Sequence, residues 1–280
     1  MIIFFTSMAE EFKIKEEEST IKTHDGTDLK YFSAWPDDGK KHPGVIVVME
    51  IWGLTDFIRN FSRRLARKGY VTFAPHLYSR PDQIDLFTEE NIMDAMRPFW
   101  SLPPEKRGDQ NAVNELLSKS SETSRKIIQK VMFNRKETEK DMIKDLEASY
   151  NHFFDQNKTK RGIVGFCLGG GLAFQLSTQK HFDASAIFYG ANPHNIDDLA
   201  NIKGSILGIY AGEDGSINSG LPALVENVVK HKNDFEMKIY PGTYHAFFND
   251  TGMSYHKEAA EDAWDRLLTF YRKKLGDYHA

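Results

Sequence analysis

Residues 12–35 alternate charged and apolar positions, the period of a strand with one buried face, and the alternation breaks at His24-Asp25-Gly26, where Asp-Gly marks a tight turn. This pattern predicts an antiparallel hairpin at a sheet edge. Gly44-Val45-Ile46-Val47-Val48-Met49 is instead a continuous, largely β-branched run, expected where a strand is buried on both faces of a parallel sheet. Residues 56–68 space Phe57, Phe61 and Leu65 at helical intervals up to Gly69, a C-terminal helix stop, and residues 70–75 form the next strand. The same alternation resumes at Ile163: a strand, a helix over 168–179, strands over 184–189 and 205–211, a helix over 221–230, a strand over 235–240 and a last helix over 257–275. Strands alternating with helices predict an α/β fold with a doubly wound, mostly parallel sheet flanked by helices, in one domain spanning 1–280.

One interval breaks the rhythm. Between the strand ending at Pro75 and the one starting at Gly162 the chain is several times longer than the roughly 10–12 residues a crossover needs. Its last part, 137–154, carries Met142, Leu146, Tyr150 and Phe153 at three- and four-residue spacing and reads as the crossover helix. The remainder, about 81–136, is surplus polar-helical sequence with Pro98, Pro103 and Pro104 as breakers. It is expected to be a helical insertion near the site, acting either as a lid or as a structural or oligomer-forming element.

Composition narrows the function. Lys+Arg 36 against Asp+Glu 40 gives a net charge of -4, and like charges form no long block, so a nucleic-acid or membrane partner is not expected. A single cysteine excludes an intrachain disulfide, and the cytoplasm is the expected compartment. The apolar run Ile2-Ile3-Phe4-Phe5 lacks the basic leader and small-residue cleavage pattern of a signal peptide, and Met8 offers an alternative start.

The lone cysteine stands in Gly165-Phe166-Cys167-Leu168-Gly169, between a strand and a helix. A nucleophile in a sharp strand-to-helix turn needs small residues two before and two after it, because side chains there would strike the neighbouring strand and helix. The amides opening the helix favour a thiolate and a developing oxyanion. A thiol nucleophile needs a base, and an imidazole base needs an orienting carboxylate. The strand 205–211 runs into Gly212-Glu213-Asp214, and the next ends in Pro241-Gly242-Thr243-Tyr244-His245, so Asp214, with Glu213 as its competitor, and His245 stand at successive strand ends. The other histidines show no spacing that suggests a metal site, and Gly169-Gly170-Gly171 is no dinucleotide fingerprint, so neither metal nor cofactor is expected.

These motifs, together with Glu50-Ile51-Trp52-Gly53 and Ala74-Pro75-His76-Leu77-Tyr78-Ser79-Arg80, make the sequence resemble the dienelactone hydrolase family, a branch of the α/β-hydrolases with a Cys-His-Asp triad. The resemblance implies that Cys167 is the nucleophile, His245 the base and Asp214 its orienter. It implies that Glu50 holds the resting thiol neutral and helps deprotonate it when substrate binds, since two nearby buried acids each disfavour ionisation of the other. It also implies an oxyanion held by the backbone N–H groups of Ile51 and Leu168. The family's carboxylate clamp would place Arg80 on the substrate, but Ala246 and Asn249 stand where it has a Ser and an Arg. With Trp52, Phe247 and Phe248 close by, a more apolar pocket is expected.

The expected function is hydrolysis of a small-molecule ester or lactone through a thioacyl enzyme. The alternative is a non-catalytic ligand-binding or thiol-sensing protein on the same scaffold. An acyltransferase would share every feature named above, and the sequence leaves the oligomeric state open.

Overall fold

A computed structural model describes residues 11–102, 106, 109–156 and 159–276. The apolar run at the N-terminus, Met8, Pro103 and Pro104 lie outside the described residues.

Eight strands form one sheet in the order β1-β2-β4-β3-β5-β6-β7-β8. The edge hairpin is β1 (Ile14–Lys22) and β2 (Asp28–Pro36), antiparallel around the turn at Asp25 and Gly26, whose φ of 81° suits glycine. β2 also pairs antiparallel with β4 (Val71–Pro75). Every pairing beyond it is parallel: β3 (Gly44–Val48), β5 (Arg161–Phe166), β6 (Ala184–Phe188), β7 (Ser205–Ala211) and β8 (Phe235–Tyr240). All five residues of β3 are buried, as the continuous apolar run requires of a strand covered on both faces.

The helices between strands are α1 (Asp56–Arg67), α6 (Leu168–Ser177), the single turn α7 (Gly215–Asn218) and α8 (Leu221–His231), with α9 (Lys257–Leu275) closing the chain. α1 turns Phe57, Phe61 and Leu65 inward, where Phe57 and Phe61 meet Phe166 and Phe248 edge to face at 4.8–6.2 Å between ring centres. This aromatic block supports the turn that follows β5 from below, contributing both apolar area and ring-ring contact.

The long interval holds α2 (Glu89–Ser101), α3 (Gln110–Lys119) and α4 (Glu122–Ile128), a single π-helical turn over Gln129–Phe133, and the crossover helix α5 (Arg135–Gln156). Pro98, expected as a breaker, lies inside α2. The lost bond and the ring both fall on the Asp94 carbonyl, one turn before the proline, and because the helix ends three residues after Pro98 the disturbance is confined to its C-terminal half. Ile92, Ala95, Met96, Phe99, Val113, Ile127 and Ile128 are buried, giving the insertion an apolar layer of its own. Among the described residues no helix is long and apolar enough to cross a membrane.

Candidate active site

The link between β5 and α6 is a single residue. Cys167 sits there with φ 56° and ψ −119°, a conformation that costs a non-glycine residue about 1–3 kcal/mol and that the surrounding packing must impose. The flanking glycines are required by contact: a Cβ on Gly165 would lie 1.9 Å from the carbonyl oxygen of Gly169, and one on Gly169 would lie 2.3 Å from that of Met49. Both obstacles are backbone, so neither can swing aside. Gly169→Ala is therefore expected to destabilise the fold by roughly 2 kcal/mol, the scale of forced overpacking, and to misplace Cys167. Thermal melts and hydrolysis rates of the purified variant check this, and an unchanged Tm would contradict the packing argument.

The turn leaves its leading amides pointing at the nucleophile. The N–H groups of Gly170 and Gly171 bond back to the Cys167 carbonyl at 3.0 and 3.2 Å. Among the described residues the N–H groups of Leu168 and Ile51 donate to no protein acceptor, and both residues line the same cavity as Cys167. Two free amides beside a thiol, one at the start of a ten-residue helix, suit a developing oxyanion.

His245 follows β8 and is half-buried. Its Nδ1–H donates to Oδ2 of Asp214, which is buried at the end of β7. The second carboxylate oxygen of Asp214 accepts from the Ser216 hydroxyl at 2.9 Å and from the Ile217 amide at 3.4 Å, so the carboxylate is fixed in orientation. Burial opposes ionisation of Asp214, but the hydrogen bond and charge of His245, with Ser216 and Ile217, outweigh it and hold the carboxyl below its usual range. Burial likewise opposes the imidazolium of His245. The charge of a Cys167 thiolate and the hydrogen bonds that the imidazole makes to Asp214 and Cys167 override it, and the imidazole pKa is pushed up to about 11. The competitor Glu213 is exposed and accepts from the Gly242 amide at 3.2 Å, away from the imidazole.

Glu50 lies two residues beyond β3 and is 1% exposed. Its carboxylate accepts from Nδ2 of Asn249 at 2.7 Å and from the Tyr189 hydroxyl at 3.4 Å. Burial raises its pKa to about 7, against the lowering effects of Asn249, the charge of His245 and Tyr189. Asn249, standing where the family's clamp has an Arg, thus binds a carboxylate of the protein itself. Tyr189 had no signal beyond its place at the end of a buried strand. It has φ 38°, and its ring lies 5.1 Å from that of His245, bridging the base and Glu50.

Cys167, His245, Ile51 and Leu168 open onto a cavity of about 180 Å³. For scale, an apolar cavity of about 150 Å³ holds a benzene ring. Its far wall comes from the insertion and the start of α5: Lys130, Val131 and Met132 on the π turn, then Arg135, Thr138, Glu139 and Met142. Residues of the interval 81–136 therefore line the same cavity as Cys167. Thr138 and Met142, one helical turn apart on the amphipathic crossover, were recoverable from periodicity, but a π turn has no comparable sequence signature.

The expected substrate contacts are placed differently. Arg80 is bound through Nε and Nη2 to Asp145 of α5 and through Nη1 to Asp25 of the hairpin turn, and it lines an adjoining cavity. Asp145 is almost fully buried, so the pair ties the crossover helix to the sheet edge. Phe247 is fully buried against Tyr189 and Tyr240, and Phe248 belongs to the aromatic block under Cys167. Trp52 meets Trp100 of α2 edge to face, with ring centres 5.4 Å apart, instead of forming the cavity wall. Among the described residues no three His, Cys, Asp or Glu side chains are grouped to hold a metal ion.

Residues 29–275 match the dienelactone hydrolase family. A Saccharolobus solfataricus protein provisionally named carboxymethylenebutenolidase is 47% identical over 257 residues, covering 92% of this chain and 98% of its own length. A Synechocystis protein provisionally given the same name is 30% identical over 250 residues, covering 84% and 87%. Among solved structures, one provisionally described as a dienelactone hydrolase from Klebsiella pneumoniae superposes with a TM-score of 0.69 at 24% identity, covering 93% of this chain and 99% of the other. This last likeness speaks for the fold, the α/β-hydrolase arrangement of mostly parallel strands between helices.

Proposed function

Because this chain belongs to the dienelactone hydrolase family and is a hydrolase of esters or lactones, we propose that it works through a thioacyl enzyme formed on Cys167. The sulfur attacks the carbonyl carbon, and the carbonyl oxygen gathers charge within reach of the Ile51 and Leu168 amides. Collapse of the tetrahedral adduct breaks the bond to the leaving oxygen, which takes a proton from the imidazolium of His245. His245 then removes a proton from water, the hydroxide adds to the thioester, and the acid leaves as sulfur is expelled. Asp214 holds the imidazole so that Nε2 faces the reaction and stabilises its charged form. Glu50, whose pKa of about 7 keeps part of it ionised at neutral pH, acts in its carboxylate form as the proton acceptor that readies the thiol when substrate enters.

The observation that carries this reading is convergence on one cavity wall of the single cysteine, a histidine bonded to a buried aspartate, and two amides without acceptors. A ligand-binding protein would have no need of the Asp214–His245 bond. The cavity admits small esters or lactones. With Arg80 held by two aspartates, the cationic groups on the wall besides His245 are Lys130, which has no salt-bridge partner among the described residues, and Arg135, which is paired with Glu139.

A panel of small aryl esters and lactones with intact-mass measurement tests the proposal. A slowly hydrolysed ester is expected to leave one acyl group on Cys167, removable by hydroxylamine, and alkylation of this single thiol is expected to abolish turnover. Hydrolysis that survives complete alkylation would overturn the thioacyl route.

A further inference from the structure

We infer that the free edge of β8 pairs with the same edge of a second copy of this chain, giving a two-fold dimer whose sheets join through antiparallel β8 strands. β8 is the last strand of the sheet and bonds on one side only, to β7. Ile206 pairs with Phe235 in the ladder, and the amides of Ile206 and Gly212 bond to the carbonyls of Asp234 and Tyr240. Backbone direction alternates along a strand, so positions 234, 236, 238 and 240 face β7, while Phe235, Met237 and Ile239 turn their N–H and C=O groups outward. Among the described residues these three outward amides have no acceptor. Met237 and Ile239 are also 40% and 39% exposed, so the edge joins unpaired backbone to apolar side chains, the combination that proteins ordinarily blunt when a sheet must stay alone. The helix feeding the strand, α8, leaves Val225 and Val229 exposed one turn apart.

The register follows from the backbone and the charges. In a two-fold antiparallel pair, hydrogen-bonded partners must both be outward residues, which puts the axis on a residue position. An axis at Glu236 sets two glutamates against each other, and one at Lys238 sets two lysines together. An axis at Met237 places Glu236 opposite the partner's Lys238 twice, Phe235 opposite the partner's Ile239 twice, and Met237 opposite its own copy. Directly opposed residues attract when oppositely charged or apolar and repel when alike in charge, so the Met237 register is the one the sequence selects. Within its own chain Glu236 has no salt-bridge partner among the described residues, and Lys238 lies over the Tyr240 ring at 5.4 Å.

Sedimentation equilibrium of the full chain is expected to give twice the chain mass. Glu236→Lys or Lys238→Glu alone should weaken the dimer about tenfold by opposing like charges, and the double exchange should restore it. Met237→Pro removes an amide that bonds nothing within the chain, so it should give a folded monomer by circular dichroism. If that variant fails to fold, the charge exchanges decide. A wild-type protein that stays monomeric at high concentration overturns the inference, as does a dimer indifferent to the single charge reversals.

Discussion

Cys167→Ala will lower kcat toward a small aryl ester by about 10⁴-fold, with the melting temperature almost unchanged. The loss is large because no other group on the cavity wall replaces the sulfur: the chain has no second cysteine, and the hydroxyls that line the cavity donate elsewhere, Ser216 to Asp214, Thr138 to the Lys130 carbonyl and Tyr189 to Glu50. On the proposed route catalysis will not fall to the rate in water, since the unbonded Ile51 and Leu168 amides remain to receive the oxyanion and the cavity remains to position the ester. Stability should hold because Ala keeps the Cβ and the same cost of φ 56°, and it removes only a sulfur at the half-buried surface of the cavity. Cys167→Ser separates the parts of the argument further. The hydroxyl keeps a place beside His245 but is far less acidic than a thiol, so activity should lie between wild type and Cys167→Ala. Stopped-flow and steady-state rates on one ester check the order, and an Ala variant within tenfold of wild type would show that another group performs the attack.

Much of this site was legible because its parts obey local rules. Gly165 and Gly169 announce a turn that admits no side chain, and the contacts that a Cβ would make at 1.9 and 2.3 Å are with backbone, which explains why the motif is readable without a structure. Asp214 and His245 lie at strand ends, where a parallel sheet brings distant residues together. What stayed hidden depends on partners remote in sequence. Position alone leaves Glu213 as a competitor to Asp214, and only the fold shows that Glu213 turns to the Gly242 amide. Arg80 is claimed by Asp145, 65 residues on, and Glu50 by Asn249, 199 residues on. Phe247 and Phe248 stand two and three residues after His245, but the chain there passes through Ala246 at φ 67° and carries both rings into the core. Adjacency in sequence was no guide to which side of the turn faced the cavity. The helices of the insertion were readable as helices, but their place beside Cys167 is a tertiary fact.

Glu50→Gln should stabilise the protein at alkaline pH by about 3 kcal/mol while slowing catalysis. The carboxyl is nearly isosteric with the amide, whose oxygen can still accept from Asn249 and whose nitrogen can donate to the Tyr189 hydroxyl, so the variant changes charge more than packing. In the fold Glu50 has a pKa of about 7, against 4.5 for the ordinary group. Below pH 4.5 the residue is neutral in both folded and unfolded chains and contributes no difference. Between about 4.5 and 7 the folded protein keeps a proton that the unfolded chain releases, so wild-type stability falls as pH rises. Above about 7 the full cost of a buried carboxylate is present, about 3 kcal/mol from the two pKa values. The Gln variant lacks this slope, so denaturation curves of the two proteins should coincide in acid and separate with a midpoint in that window. Activity should show the opposite preference. If ionised Glu50 takes the thiol proton, wild-type kcat/KM rises with pH through an apparent pKa near 7, and Glu50→Gln loses that limb along with most of its rate. Equal stabilities at every pH would mean that Glu50 ionises as freely in the fold as in water. A variant that is stabilised yet fully active would leave Glu50 as a buried carboxylate bound by Asn249, with the proton passing to His245 alone.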